Sequence, residues 1–314
     1  MANHNVSEIL PCLKDSLVTC NKAFSTFHDI LNGFIILANI FHLLLLKKVK
    51  NPEPSNSSSI MASMSILIVF NSLTSICYYN CYITNYLLGL KDPYWAFIII
   101  QAMAGFSPLS RYIVLLIISI ERYIGICLPY KYKTHFFVRN AIKLNFTIIV
   151  SALLVIPMIN IAFSPEFCQS PLKIRYVYST KATVFLSLVG VVFSLLTLIT
   201  ASLLVTSWKR LRKLNVVGSK KKIKTASTYI IWTGITYQLT SLPTIVSVFI
   251  EATNISLEAL EAVSAVIFAL YGFANVILYA CFHSEYMNEL RHIVGSVKCC
   301  SRVKEKAVTP PKPI

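Results

Sequence analysis

Two arginines stand inside long apolar runs, where a charge is expensive. Arg122 directly follows Glu121, and Arg111 lies eleven residues earlier in the same run. Adjacent opposite charges at a helix end neutralise each other locally, and a competing partner breaks so exposed a pair at modest cost. The pair alone fits an ordinary membrane-interface charge pair as well as a switch. Arg111 stands out, because a charge near a bilayer midplane costs about 2.5 to 3.5 kcal/mol on insertion scales and is seldom idle. The other reactive residue types form no catalytic arrangement. The six histidines are scattered, and there is no H-E-x-x-H, no Cys-x-x-Cys and no glycine-rich phosphate loop, so no enzyme activity, metal or cofactor is expected.

The elements that carry these residues follow from composition. Of 314 residues 55% are hydrophobic and only 13% charged, with a mean hydropathy of +0.65; a soluble domain of this length needs far more surface charge. Windows of about 20 apolar residues, the length that crosses roughly 30 Å of hydrocarbon, occur near 24–46, 58–84, 94–124, 141–163, 180–207, 223–250 and 258–281. Barrel strands are shorter and alternate, and lipid offers the backbone no partner, so the windows read as helices. The second is the most polar, with Tyr78, Tyr79, Asn80 and Asn85, and its run Ile66-Leu67-Ile68-Val69-Phe70 keeps it among the spans. The expected fold is an all-α membrane protein, a seven-transmembrane helix bundle: an extracellular N-terminus over 1–23, a bundle over 24–281, and a cytoplasmic surface helix and tail over 282–314.

Positive residues near span ends are retained in the cytoplasm. Twenty-one Lys and Arg fall in the connections after spans one, three and five and in the tail, against six in the other connections. The N-terminus is therefore expected outside and the C-terminus inside. The net charge of +16 is then a topology signal and an attraction to anionic membrane lipid, not a nucleic-acid footprint. Residues 1–23 show no apolar run before a small-residue cleavage site, so entry through the first span is expected. Asn5 and Asn254 head glycosylation triplets on the outer face. Of nine cysteines, Cys12, Cys20 and Cys168 face the oxidising side, where a pair among them can bond. Cys77, Cys81, Cys127 and Cys281 read as small apolar fillers, and Cys299 and Cys300 sit where palmitoylation or plain thiols both fit.

The run Ser119-Ile120-Glu121-Arg122-Tyr123-Ile124-Gly125-Ile126-Cys127-Leu128-Pro129-Tyr130-Lys131-Tyr132 resembles the D/E-R-Y triplet and following A-I-C-x-P-L-x-Y of rhodopsin-class G-protein-coupled receptors, closest to the form in olfactory receptors. Asn39 fits that family's asparagine in span one. Asn275-Val276-Ile277-Leu278-Tyr279 resembles N-P-x-x-Y with Val for Pro, and Lys222-Ile223-Lys224-Thr225-Ala226-Ser227-Thr228 resembles the K-A-x-S-T stretch before span six. Residues 283–296 place Tyr286, Leu290 and Ile293 on one face, as in a helix lying on the inner surface. The resemblance implies that Glu121 holds Arg122 in the resting state and that Arg122 turns to a G protein when the helices open.

Departures from the family pattern are as informative. Phe97 replaces the cysteine that usually anchors the outer end of span three, span five lacks Pro, span four lacks Trp, and Ser241-Leu242-Pro243 replaces W-x-P. Asn71 stands where most members carry a sodium-binding Asp, and Arg111 where they carry Ser. Arg111 is then either a fixed cation in that site, hydrogen-bonded by Asn71 and Asn275, or a side chain snorkelling in a polar helix interface. Ala104 replaces the carboxylate that amine receptors need, and no Lys lies between Lys224 and Lys298, which disfavours an amine receptor and excludes an opsin. Carried over residue by residue, the family's pocket falls on Ala104, Gly105, Pro108, Leu109 and Ser241. It continues with Thr244, Ile245, Val248, Ala265 and Ala269, small and mostly apolar positions that suit an uncharged hydrophobic molecule held by shape and that also suit helix packing. The resemblance implies an olfactory-type receptor in the plasma membrane with a small odorant and a heterotrimeric G protein as partners. A rhodopsin-class receptor for lipid or peptide is the alternative, and a transporter or channel is disfavoured by the odd span number and lack of repeat halves.

Overall fold

A computed structural model describes residues 21–48, 55–88, 93–132, 134–162, 166–169, 174–177, 180–213, 220–251, 258–283 and 285–293. Seven helices of 25 residues or more occur among them: α1 (Lys22–Lys48), α2 (Ser55–Tyr79), α3 (Pro93–Cys127), α4 (Phe136–Ala162), α5 (Thr180–Lys213), α6 (Lys220–Glu251) and α7 (Glu258–Phe282). A short helix, Cys81–Leu88, follows α2, and residues 285–293 form a further helix, α8. The strands among the described residues form a two-stranded antiparallel hairpin between α4 and α5. Its strands, Glu166–Gln169 and Ile174–Val177, pair with Glu166 opposite Val177 and Gln169 opposite Ile174.

Local chemistry sets the helix ends. The Asn21 side-chain oxygen accepts the Phe24 N–H at 3.0 Å, capping α1, and Lys47 and Lys48 in its last turn complement the helix dipole. Arg210, Arg212 and Lys213 do the same for α5. Asn80 divides the polar end of the second apolar window. Its N–H still bonds the Ile76 carbonyl at 2.9 Å, while its side-chain oxygen accepts the Ile83 N–H at 2.9 Å and so caps the short helix. Asn85 lies within that short helix rather than in α2.

Burial in α1 runs opposite to that of a soluble protein. The residues turned inward are Ser25, His28, Asn32, Ile35, Asn39, His42 and Leu45, whereas Phe27, Ile30, Phe34, Leu37, Phe41 and Leu44 are exposed. A helix with its polar stripe inside and its apolar stripe outside is solvated by hydrocarbon. In α5, Leu188, Val191, Leu195 and Leu198 are exposed while Thr200 and Ser207 are buried. Four stretches are long and apolar enough to cross a membrane: Lys22–Lys48, Met61–Tyr79, Gly190–Lys213 and Ala259–Phe282.

Each long helix packs on its chain neighbour except at the hairpin between α4 and α5, and α1 packs on α7 to close the ring. α3 is the axis, touching α2, α4, α5 and α6. The main core cluster gathers Ile35, Met64, Ile68, Leu115, Ile118 and Tyr271. Gly272 lets α7 approach closely: a Cβ there would overlap Ile35 Cγ2 and lie 3.1 Å from Ile68 Cγ2, and the Gly272 carbonyl accepts Asn39 Nδ2 at 3.1 Å. Gly272→Ala is expected to cost about 1–3 kcal/mol through overpacking. A lowered unfolding midpoint of the purified protein is the check, and an unchanged midpoint would show that α1 yields freely.

Candidate functional site

The C-terminal end of α3 forms a three-residue latch. Arg122 Nη2 donates to Glu121 Oε1 at 3.3 Å and Oε2 at 3.4 Å, and the Tyr132 hydroxyl donates to Glu121 Oε1 at 2.8 Å. Glu121 is 1% exposed and Arg122 6%. The exposed, cheaply broken pair expected from sequence is thus corrected to a buried one, for which loss of a partner is far more costly. The chain end of α3 explains the burial. Leu128 leaves helical geometry at φ −129°, ψ 54°, Pro129 starts the single 3₁₀ turn Pro129–Lys131, and the turn folds Tyr132 back over the helix. Gly125 leaves room for the ring: a Cβ there would lie 3.2 Å from Tyr132 Cε2. Burial, and next the charge of Glu121, push the Tyr132 phenol up to about 12, so it keeps its proton and donates at physiological pH.

A second polar centre ties α1, α2, α6, α7 and α8 together. Asn275 accepts from the Tyr229 hydroxyl at 3.1 Å and donates to Ser65 Oγ at 3.4 Å. Tyr279 is buried, stacked on His283 at 3.9 Å between centroids and edge-on to Tyr229, His42 and Tyr286. His42 Nδ1 and the Tyr286 hydroxyl lie 2.9 Å apart, and burial pushes that phenol up to about 12. Leu290 and Ile293 of α8 pack on the main core while Glu285 and His292 are exposed, matching the expected amphipathic face. Lys48 pairs with Glu289 and holds its carboxyl below the usual range. Tyr123 is half-buried.

Arg111 is 1% exposed, and its surroundings differ from both expectations. Its guanidinium carbon lies 3.9 Å from the Phe268 ring centroid, 5.8 Å from Tyr237 and 6.0 Å from Tyr271. Nε and Nη2 have no hydrogen-bond partner among the described residues. Asn275 is turned to Tyr229 and Ser65, and Asn71 is buried without bonding those nitrogens. The side chain neither snorkels nor fills a polar network; aromatic faces surround it.

Pocket candidates divide unevenly. Ser241 is buried, accepting from the Tyr112 hydroxyl and donating to the Gln238 carbonyl at 3.0 Å, so its hydroxyl is already engaged. Thr244 Oγ1 is buried and unpartnered, Ile245 packs on the core, Ala269 is buried within it and Ala265 is half-buried. The side chains of Ala104, Gly105, Pro108, Leu109 and Val248 lie outside those described, as do residues Asn5, Asn254, Cys299 and Cys300.

Cys81 corrects a further expectation. It is disulfide-bonded, with its partner outside the described side chains, and 1% exposed, whereas Cys77, Cys127 and Cys281 are free. The polar run Tyr78-Tyr79-Asn80 just before it was the available signal. Tyr132 was also missed, because it reaches Glu121 only through a turn, and so were Tyr237, Phe268 and Tyr271, because aromatic residues at helical spacing read as ordinary core.

No protein-family model matches the chain, and no curated protein matches it significantly. Fold and burial define the class: a helical protein whose apolar helices are long enough to cross a membrane.

Proposed function

We propose that this chain is an olfactory-type chemosensory receptor of the rhodopsin class. It crosses the plasma membrane seven times with its N-terminus outside, binds a small, mostly apolar odorant and activates a heterotrimeric G protein. The observation that carries the reading is the buried latch of Glu121, Arg122 and Tyr132 at the end of α3, within the motif that resembles the family's switch. It keeps an arginine sequestered until another acceptor competes for it, which is what a ligand-biased two-state element requires.

Three observations support the rest. Seven long helices match the seven apolar windows, the Asn275 and Tyr279 cluster couples α7 to α1, α2 and α8, and a disulfide at Cys81 needs an oxidising compartment. The last supports a reading with the C-terminal end of α2 outside, as does the Lys and Arg count. A transporter or channel is the second reading, favoured only by the unpaired cation at Arg111. Expression in a reporter cell with a panel of volatile and water-soluble odorants decides between them. A second-messenger response to at least one odorant is expected; ion or solute flux with no second-messenger response moves the protein to the second reading.

A further inference from the structure

Arg111 carries its charge deep in the bundle, with no anion opposite it among the described residues. None of the ion pairs among the described residues includes it. The nearest buried carboxylate along α7, Glu261, precedes Phe268 by seven residues, roughly 10 Å along a helix axis. A guanidinium in such surroundings is strongly unfavourable unless an anion meets it. Aromatic faces attract it, yet they accept no hydrogen bond of normal strength from its N–H groups.

Which nitrogens are left over matters. Nε and Nη2 are the unpartnered ones, and they form one edge of the planar guanidinium, the two-donor fork that takes a carboxylate or another compact anion side-on. The Tyr271 hydroxyl, on a ring 6.0 Å from the guanidinium, is also buried and without a partner. Tyr112, next in sequence, is bonded to Ser241 instead. The cluster thus offers positive charge and donors while Phe268 closes one face of the guanidinium at 3.9 Å.

The geometry points to an internal anion site: the Nε and Nη2 edge of Arg111 binds one small monoanion, between α3 and the facing aromatic residues of α6 and α7. The shared chemistry is a single compact negative charge with lone pairs for two N–H donors. Two sources supply it, a halide from solution or the carboxylate terminus of an organic acid stimulus. The inference does not rest on the receptor reading, because it is tested by stability alone.

The full-length protein is purified into lipid nanodiscs, and its unfolding midpoint is followed as chloride replaces isethionate at constant ionic strength and constant sodium. A second series replaces isethionate by acetate, butyrate and hexanoate. Binding to the folded state raises the midpoint with anion concentration, and a saturable rise of about 3 °C or more is expected in at least one series. Arg111→Gln, which keeps a planar hydrogen-bonding side chain without the charge, is expected to lose the rise. A response to chloride assigns a resident inorganic anion, and a response to carboxylates alone assigns the acid group of a ligand. A flat wild-type midpoint in both series overturns the site. So does an equal rise in Arg111→Gln, and should that variant fail to fold, the wild-type series still decides.

Discussion

Arg122→Ala is expected to reduce odorant-evoked second messenger to the level of cells lacking the protein, while surface delivery stays within about twofold of wild type. The argument rests on what each partner keeps. Removing one member of a buried ion pair typically costs about 3–5 kcal/mol, because the other charge is left uncompensated. Here Glu121 retains the Tyr132 hydroxyl at 2.8 Å, and it lies at a helix end beside the Pro129 turn rather than in mid-bundle. The fold is therefore expected to survive, and what disappears is the cation that the proposed receptor would present to a G protein. Reporter output and surface labelling measured on the same cells check this; full evoked signal with alanine at 122 would remove Arg122 from the mechanism.

Glu121→Gln has the second-largest expected effect, in the opposite direction. The amide is close in shape to the carboxylate, its carbonyl oxygen still accepts from Tyr132, and only the attraction to the Arg122 guanidinium at 3.3 and 3.4 Å is lost. If that attraction favours the closed state by about 1 to 1.4 kcal/mol, its loss raises the open population roughly five- to tenfold while that population remains a minority. Ligand-independent second messenger is expected to rise by that factor. Unchanged basal signalling would mean that the pair does not bias the two states.

The long helices were legible in the sequence because lipid forces one signal on them. Each apolar window became a helix, and the fourth, read as 141–163, begins earlier at Phe136. There Arg139 and Lys143 end the apolar run that defines the window, but not the hydrogen-bond ladder. Asn80 shows the converse: a polar cluster left the second window's end ambiguous, and only its capping bond to Ile83 reveals that one helix stops and another starts. The latch was half legible. Glu121 and Arg122 were read from charge and motif, but Tyr132 acts through a turn that reverses the chain, and hydrophobic spacing carries no trace of such a contact. The depth of the pair was misjudged for the same reason, since the ring resting against Gly125 covers it.

Arg111 was recognised as costly, and its partners were assigned wrongly. Asparagines are the natural hydrogen-bond partners of a buried cation, yet Asn275 is engaged by Tyr229 and Ser65. The rings that do surround Arg111 come from Tyr237 on α6 and from Phe268 and Tyr271 on α7. Their meeting depends on how those helices rotate against α3, which one sequence does not encode in any local pattern.

The most direct test of the receptor reading is nucleotide exchange on a purified heterotrimeric G protein, with the full-length chain in nanodiscs and an odorant found active in cells. Odorant-accelerated exchange by the wild-type protein and none by Arg122→Ala is the predicted result; wild-type exchange at the rate of the G protein alone, with odorant bound, would contradict it.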